Sequence, residues 1–405
     1  MCHASGVRIA LVTDCFLPRL GGIEVQVSEL ARRLCAAGHD VEVFTITPDR
    51  SAGDAGAATS FDDAALPYGQ GHPVHRMPLP VRLPAGLLAN PLATPELHRR
   101  LRGGGFDVVH APLGVVSPFA FEGVRIAVAA GIPVAVTWHS MVGRFASVWR
   151  ASGLLDSWAR QGAALSAVSQ VAAAAISRAS RSGVRVDVLP NALDVGEWWV
   201  GASSATVDGA EADPASGGDP ENPATVRVVA AMRLAPRKRP MELLEAARRA
   251  RTLAPGIRTH LELIGDGELR GRLERSIREH GDGSWVSLPG RLTRDELKVR
   301  YAAADLYLSP VRLEAFGIAA LEGRCRGLPV VGYAGSGVAE FVEHGVNGLL
   351  VDSDEAFSQA VARLAVDHAL RLRMRRHNAT TPPRRFDWPE VIEATLAQYR
   401  RAGAR

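Results

Sequence analysis

The stretch from Asp305 to Val351 constrains the fold more than any other part of the chain: DLYLSPVRLEAFGIAALEGRCRGLPVVGYAGSGVAEFVEHGVNGLLV. It reads strand, loop, helix, strand, glycine-rich loop, helix, strand. Leu306–Ser309 is a short apolar run closed by Pro310, the pattern of a strand buried on both faces of a parallel sheet. A helix is predicted from near Gly317 to Gly327, with Arg324 and Arg326 in its last turn and Pro329 just beyond. LPVVGY is the next strand, and Gly335-Ser336-Gly337 is predicted to open a second helix. Two helix N-termini then stand at the carboxyl ends of neighbouring parallel strands. Ligands bind at that edge of an open α/β sheet, and exposed N–H groups with the helix dipole favour phosphate there.

Two carboxylates frame this edge, Glu314 just before the predicted helix and Glu322 inside it. Helical rise over that spacing gives roughly 12 Å, too far for one acid/base pair. The span suits a sugar, a diphosphate and a ribose laid end to end, one Glu on the sugar hydroxyls and the other on the ribose. Two glutamates at this spacing also occur on ordinary surface helices, so the flanking AFG and the glycine-rich loop carry the distinction. With them, the segment resembles the donor-binding signature of family 4 retaining glycosyltransferases of the GT-B fold.

A chain of 405 residues exceeds what one core usually supports, so two domains are expected, and 47% hydrophobic residues suffice for two cores. A net charge of +4 admits an anionic substrate or membrane surface and gives no argument for nucleic acid. The four cysteines (Cys2, Cys15, Cys35, Cys325) lack metal or redox spacing, which fits a reducing cytoplasm. With no signal-peptide pattern and no run of eighteen apolar residues, the expectation is a cytoplasmic protein, at most peripheral on the inner face of the membrane.

From the N-terminus, VRIALVT is a first buried strand, DCFLPRLGG a loop, Ile23–Ala37 a helix and HDVEVFTI the second strand. This βαβ opening sets Gly21-Gly22 where a backbone can approach a ligand ahead of a helix N-terminus. A glycine pair alone says little, since tight turns need glycine. Followed by Ile23 and Glu24, it resembles the N-terminal loop of the same family. Residues 51–70 read as a flexible loop. FDVVHAP and IPVAVTWHS bring His110 and His139 to the same sheet edge. His110 is read as structural. His139, in TWHS, resembles the family histidine that faces the donor sugar and the acceptor. Arg144 through Arg160 carries Trp149 and Trp158 between arginines and is read first as a core helix, second as a helix lying on an anionic membrane. In the membrane reading Leu83, Leu87 and Leu88 insert beside the two tryptophans, while Arg99, Arg100, Arg102 and Arg150 face the headgroups. The turn NALD (Asn191 to Asp194) also matches the family, with Ala192 in place of the usual glycine.

Residues 200–225 are rich in Gly, Ala, Ser, Asp and Pro and read as a disordered insertion between domains. The domain division expected is 1–199 and 226–387, with the last helix (388–405) packing back on the first domain. The second βα series opens with VRVVAAMRLAPRKRP, where Arg233 and Lys238 occupy a basic loop. Only two lysines exist in the chain, Lys238 and Lys298. The loop matches the family's R-L-x-x-x-K motif, with Met232 replacing a glycine and with Arg237 and Arg239 obscuring which cation matters. WVSLPGRL resembles the strand that borders the nucleobase, so Arg291 and Leu292 are candidate base contacts.

The resemblance implies two Rossmann-like domains with parallel sheets facing a central cleft, and transfer of a sugar from a GDP- or UDP-linked donor with retention. It implies no metal and no cofactor beyond that co-substrate. Glu314 would hold the sugar and Glu322 the ribose. Arg233, Lys238 and the amides near Phe316, Gly317 and Ile318 would neutralise the diphosphate, with Gly21 and Gly22 close to the donor. His139 would orient the sugar. GGIE, the leucine-rich segment before residue 95 and TWHSMVGRF resemble the phosphatidylinositol-directed N-acetylglucosaminyl and mannosyl transferases. That branch implies an acceptor lipid or other cell-envelope glycoconjugate, with Glu24 and Arg144 as acceptor contacts. A small soluble acceptor or an antibiotic aglycone is the competing reading. Nucleotide-sugar epimerases and non-catalytic sugar-nucleotide binding proteins are the other classes: the first needs further acid/base carboxylates, the second would have lost His139 or Glu314.

Overall fold

Short apolar runs build two parallel sheets. The computed structural model describes residues 6–18, 21–48, 71–77, 81–82, 88–89, 93–201 and 225–404, the side chains at 81–82, 88–89 and 144 excepted. In the first unit the strands are β1 (Arg8–Thr13), β2 (Asp40–Thr45), β3 (Val74–Arg76), the small pair β4 (Val81–Arg82) and β5 (Leu88–Ala89), then β6 (Val108–Leu113), β7 (Val134–Trp138), β8 (Ala164–Ala167) and β9 (Asp187–Val188). The main sheet runs β3-β2-β1-β6-β7-β8-β9, and every neighbouring pair in it is parallel. Residues Ile9 to Leu11 and Val134 to Val136 are almost wholly buried, as strands covered by helices on both faces must be.

In the second unit β10 (Val226–Ala231), β11 (Thr259–Ile264), β12 (Val286–Gly290), β13 (Leu306–Leu308), β14 (Val330–Tyr333) and β15 (Gly348–Val351) form a sheet in the order β12-β11-β10-β13-β14-β15, again all parallel. Chain order reverses between β10 and β13, and in the first unit between β1 and β6. Those are the topological switch points of doubly wound sheets, where ligands bind beyond the carboxyl ends of the strands.

The units comprise residues 1–192 with 388–405, and residues 193–387. The division falls earlier than residue 199 because Val195–Trp198 forms a short helix whose Trp198 packs 6.1 Å from Tyr301, while Trp199 Nε1 donates to the Asn378 carbonyl at 3.2 Å. The helix Trp388–Ala402 returns to the first unit, where Trp388, Val391 and Tyr399 join the core of Ile9, Leu11 and Val27. Of the expected linker 200–225, residues 202–224 lie outside the described residues, as do 51–70 and Leu83 and Leu87.

Two expectations are corrected. Gly335 to Gly337 opens no α-helix; only a 3-10 turn, Gly337–Glu340, follows β14. The glycine is needed for contact instead: a Cβ on Gly337 would lie 2.1 Å from the Ala315 carbonyl oxygen, and Gly337 N–H donates to the Glu314 carbonyl at 2.8 Å. The loop therefore buttresses the Glu314 turn. The tryptophans of the 144–160 segment face inward. Trp149 and Trp158 are 6% and 5% exposed; Trp149 packs edge-on with Trp138, Phe121 and Trp158, and Trp158 packs tilted against Trp138 and Phe121, leaving Val148 and Leu154 outside. An indole buried in an aromatic core cannot also sit at a bilayer interface, so the core reading of this stripe stands and the membrane reading of its tryptophans does not.

Candidate active site

In the second unit the basic loop leaves β10 at the switch point. Leu234 N–H donates to the Asp266 carbonyl at 2.9 Å, and Gly265 and Gly267 let the next loop press against Met232 and Leu234, where any Cβ would collide with carbonyl oxygens. This packing shapes the 3-10 turn Pro236–Lys238. Lys238 Nζ meets Glu314 Oε2 at 2.5 Å, both side chains mostly buried. The two ionic residues that the motif reading placed on different parts of a donor thus pair with each other across the mouths of β10 and β13.

Arg239 is the one non-glycine among the described residues with a left-handed backbone, φ 58°. Its guanidinium holds it there, donating to the Pro310 carbonyl (3.1 Å), the Tyr333 hydroxyl (3.1 Å) and Asp354 Oδ2 (2.7 Å). Asp354 also takes the Tyr333 hydroxyl and pairs with Arg312, and Arg239 above all holds its carboxyl well below the usual range. Arg239 is therefore committed to structure. Arg233 and Arg237 are exposed.

Glu314 precedes the helix Ile318–Cys325, whose N-cap Gly317 has φ 93°. Phe316 is 1% exposed and wedged against Phe341 and Phe386, so it anchors the turn. Because the chain kinks at Gly317, helical rise applies only from Ile318 to Glu322, about 6 Å. The 12 Å estimate does not describe the pair. Glu322 hydrogen-bonds to no described side chain; burial pushes its carboxyl up to about 7, opposed by the charges of Arg294 and Lys298. Burial above all raises the phenol of Tyr307, and the charges of both glutamates add to it. Arg291 and Leu292 follow β12, the edge strand, Arg291 exposed and Leu292 half-buried.

In the first unit Gly21 caps the helix Gly22–Ala36 in extended conformation. Its lack of a side chain is spatial: a Cβ would lie 2.3 Å from Glu24 Oε2, since the 6%-exposed Glu24 folds its carboxylate back over Gly21. Gly22 has open space around it. His139 follows β7, its backbone N–H bonded to the Leu113 carbonyl (2.8 Å) and its ring Nδ1 to Asn191 Oδ1 (2.9 Å). Burial drives its pKa down to about 4, the Asn191 bond acting the other way. His110 is structural, with Nδ1 on the Tyr399 hydroxyl and Nε2 on Thr137, both at 2.9 Å. Arg144 lies in the 3-10 turn Gly143–Phe145, its side chain outside the description.

Sequence reasoning missed three supporting residues. Asp14 receives the N–H groups of Phe119 and Ala120, each at 3.0 Å, and caps the helix Pro118–Ala129 from the end of β1. Gln26 clamps Ala192 through both ends of its amide. Arg239 is the third. The signals present were an acid closing an apolar strand and a polar residue on the apolar face of a helix, neither of which names a partner.

Two family models match: Glycosyltransferase Family 4 over residues 20–197 and Glycosyl transferases group 1 over residues 211–380. A D-inositol 3-phosphate glycosyltransferase of Pseudarthrobacter chlorophenolicus is 28% identical over 411 residues, covering 94% of this chain and 90% of that protein. A GDP-mannose-dependent alpha-(1-6)-phosphatidylinositol monomannoside mannosyltransferase of Mycobacterium tuberculosis is 26% identical, covering 97% and 98%. Among solved structures, Anabaena HepE in complex with UDP and glucose matches with TM-score 0.70 at 19% identity over 96% of this chain and 98% of that one. Sucrose-phosphate synthase of Thermosynechococcus elongatus gives 0.71 at 20% over 98% and 99%. With both Rossmann-like sheets in place, the chain belongs to the family 4 glycosyltransferases of the GT-B fold.

Proposed function

We propose that this enzyme transfers a hexose (mannose, glucose or N-acetylglucosamine) from a GDP- or UDP-linked donor, with retention and without a metal ion. The observation that carries the reading is the Lys238–Glu314 pair at the switch point beside the N-terminus of the helix Ile318–Cys325. A diphosphate arriving there takes Lys238 and the amides around Phe316, Gly317 and Ile318, and Arg233 adds a second cation. Glu314, released from Lys238, accepts hydroxyls of the sugar. Glu322, whose carboxyl has no hydrogen-bond partner among the described residues, accepts ribose hydroxyls, and Arg291 and Leu292 border the base. The sugar is oriented by His139, with Gly21 and Gly22 leaving backbone close to it. Charge on the leaving diphosphate is thus met by fixed donors.

The acceptor is read as an inositol-phosphate headgroup on a lipid or other cell-envelope glycoconjugate, with Glu24 and Arg144 as its contacts. The printed activities of the Mycobacterium and Pseudarthrobacter relatives support that chemistry. Burial of Trp149 and Trp158 favours a second reading, a soluble inositol phosphate, because it removes the aromatic anchors expected at a bilayer. Arg99 and Arg100 also share Glu96, which offsets part of the charge that would face anionic lipid. Among the described residues no helix is long and apolar enough to cross a membrane.

The test is turnover of radiolabelled GDP-mannose, UDP-glucose and UDP-N-acetylglucosamine with phosphatidylinositol liposomes and, separately, with inositol 3-phosphate. Labelled lipid supports the first acceptor and labelled inositol phosphate the second. Release of nucleoside diphosphate from no donor, with either acceptor, refutes the donor reading.

A further inference from the structure

Gln26 lies on the buried face of the helix Gly22–Ala36 and is 7% exposed. Its Nε2 donates to the Ala192 carbonyl at 2.8 Å and its Oε1 accepts the Ala192 N–H at 2.9 Å. One side chain thereby pairs both backbone groups of a residue 166 positions away. Ala192 is 2% exposed and packs in the core with Leu189, Trp388 and Val391, so water does not replace those bonds. The neighbouring residue, Asn191, is 8% exposed and presents Oδ1 to His139 Nδ1 at 2.9 Å. His139 itself is tied at its backbone N–H to Leu113.

We propose that Gln26 and Asn191 are positioning residues that hold His139 in one orientation and one tautomer, with hydrogen on Nδ1 and a bare lone pair on Nε2. A carboxamide oxygen only accepts, so the Nδ1 facing it carries the proton. A neutral ring then has a single acceptor left, Nε2. Such a ring takes a hydrogen bond from a hydroxyl and offers none to a phosphate, which discriminates a sugar hydroxyl from the diphosphate. Gln26 acts one step behind: it fixes the backbone at Ala192, the backbone aims Asn191, and Asn191 sets the ring. The inference rests on the reading of His139 as the residue that orients the sugar. Among the described residues no other side chain hydrogen-bonds the imidazole, and the titratable neighbour that interacts with it, His110, is kept neutral by its burial.

The experiment is long-range proton–nitrogen correlation NMR on histidine-labelled full-length protein, with the His139 signals identified by their loss in His139→Asn. The wild type is expected to show protonated Nδ1 and unprotonated Nε2. Asn191→Ala and Gln26→Leu, checked for folding by circular dichroism, are expected to give a tautomer mixture. Asn191→Asp keeps an acceptor and adds charge, so it should preserve the tautomer and raise the ring's titration midpoint by ~1 unit or more. A wild type protonated on Nε2, or an unchanged tautomer in folded Asn191→Ala, overturns the proposal. Gln26→Leu with an unaltered tautomer removes Gln26 from it. Normal hydrolysis of GDP-mannose and UDP-glucose by His139→Asn would refute the role of His139, while the spectra judge the positioning separately.

Discussion

Lys238 and Glu314 offer the sharpest test of the proposed donor site, because in the structure each is the other's partner. Replacing Lys238 with Ala removes the cation proposed to meet the diphosphate and leaves the Glu314 carboxylate, mostly shielded from water, in its place. Loss of one such charge-stabilising contact costs ~2–4 kcal/mol, or roughly 30- to 1,000-fold in affinity. The stranded carboxylate adds repulsion. At an effective dielectric of ~20 and a separation of ~6 Å, a pair of unit charges interacts by about 3 kcal/mol before ionic screening. Glu314→Gln should therefore do little harm to binding of a nucleoside diphosphate that lacks the sugar, since Lys238 remains and is freed. In the Lys238→Ala background the same change should recover ~1–2 kcal/mol as the repulsion disappears. Titration calorimetry with GDP and UDP on the two single variants and the double variant measures this cycle. Additivity within ~0.5 kcal/mol would refute the shared site, and wild-type affinity in Lys238→Ala would remove Lys238 from the phosphates altogether.

Glu322→Gln tests the proposed ribose contact through pH. Its folded pKa, about 7, lies above the ordinary carboxyl value of 4.5, so its contribution to stability is present in full below pH 4.5 and is lost as pH rises through 7. The variant should match the wild type near pH 4.5 and exceed it by up to ~3 kcal/mol above pH 8 in urea unfolding, while nucleotide affinity rises through pH 7 only in the wild type; parallel stability profiles would refute the burial argument. Arg239→Gly relieves a left-handed backbone that costs ~1–2 kcal/mol but loses the bonds to Pro310, Tyr333 and Asp354. The net expectation is a loss of ~1–3 kcal/mol by denaturant unfolding, and a variant as stable as the wild type would show that the side chain does not hold the turn.

Sequence alone determined the parallel α/β class, because unbroken apolar runs such as VRIALVT and LYLS can be satisfied only by strands covered on both faces. It also determined that Lys238, Glu314, Glu322 and His139 are the residues to examine, since loops at strand ends and their motifs are local in the chain. Tertiary structure decided what those residues touch. The kink at Gly317 shortened the helical path between the two glutamates, and the pairing of β10 beside β13 set Lys238 against Glu314 across 76 positions. Inward rotation of the 146–160 helices turned a stripe that reads first as core and second as membrane contact into an aromatic core. Periodicity states that one face is apolar, but not what covers it; that depends on where Trp138 and Phe121 arrive from other elements. The Gln26–Ala192 clamp is of the same kind: a glutamine on an apolar helix face is a cost until a backbone 166 residues away supplies both halves of its hydrogen bonding.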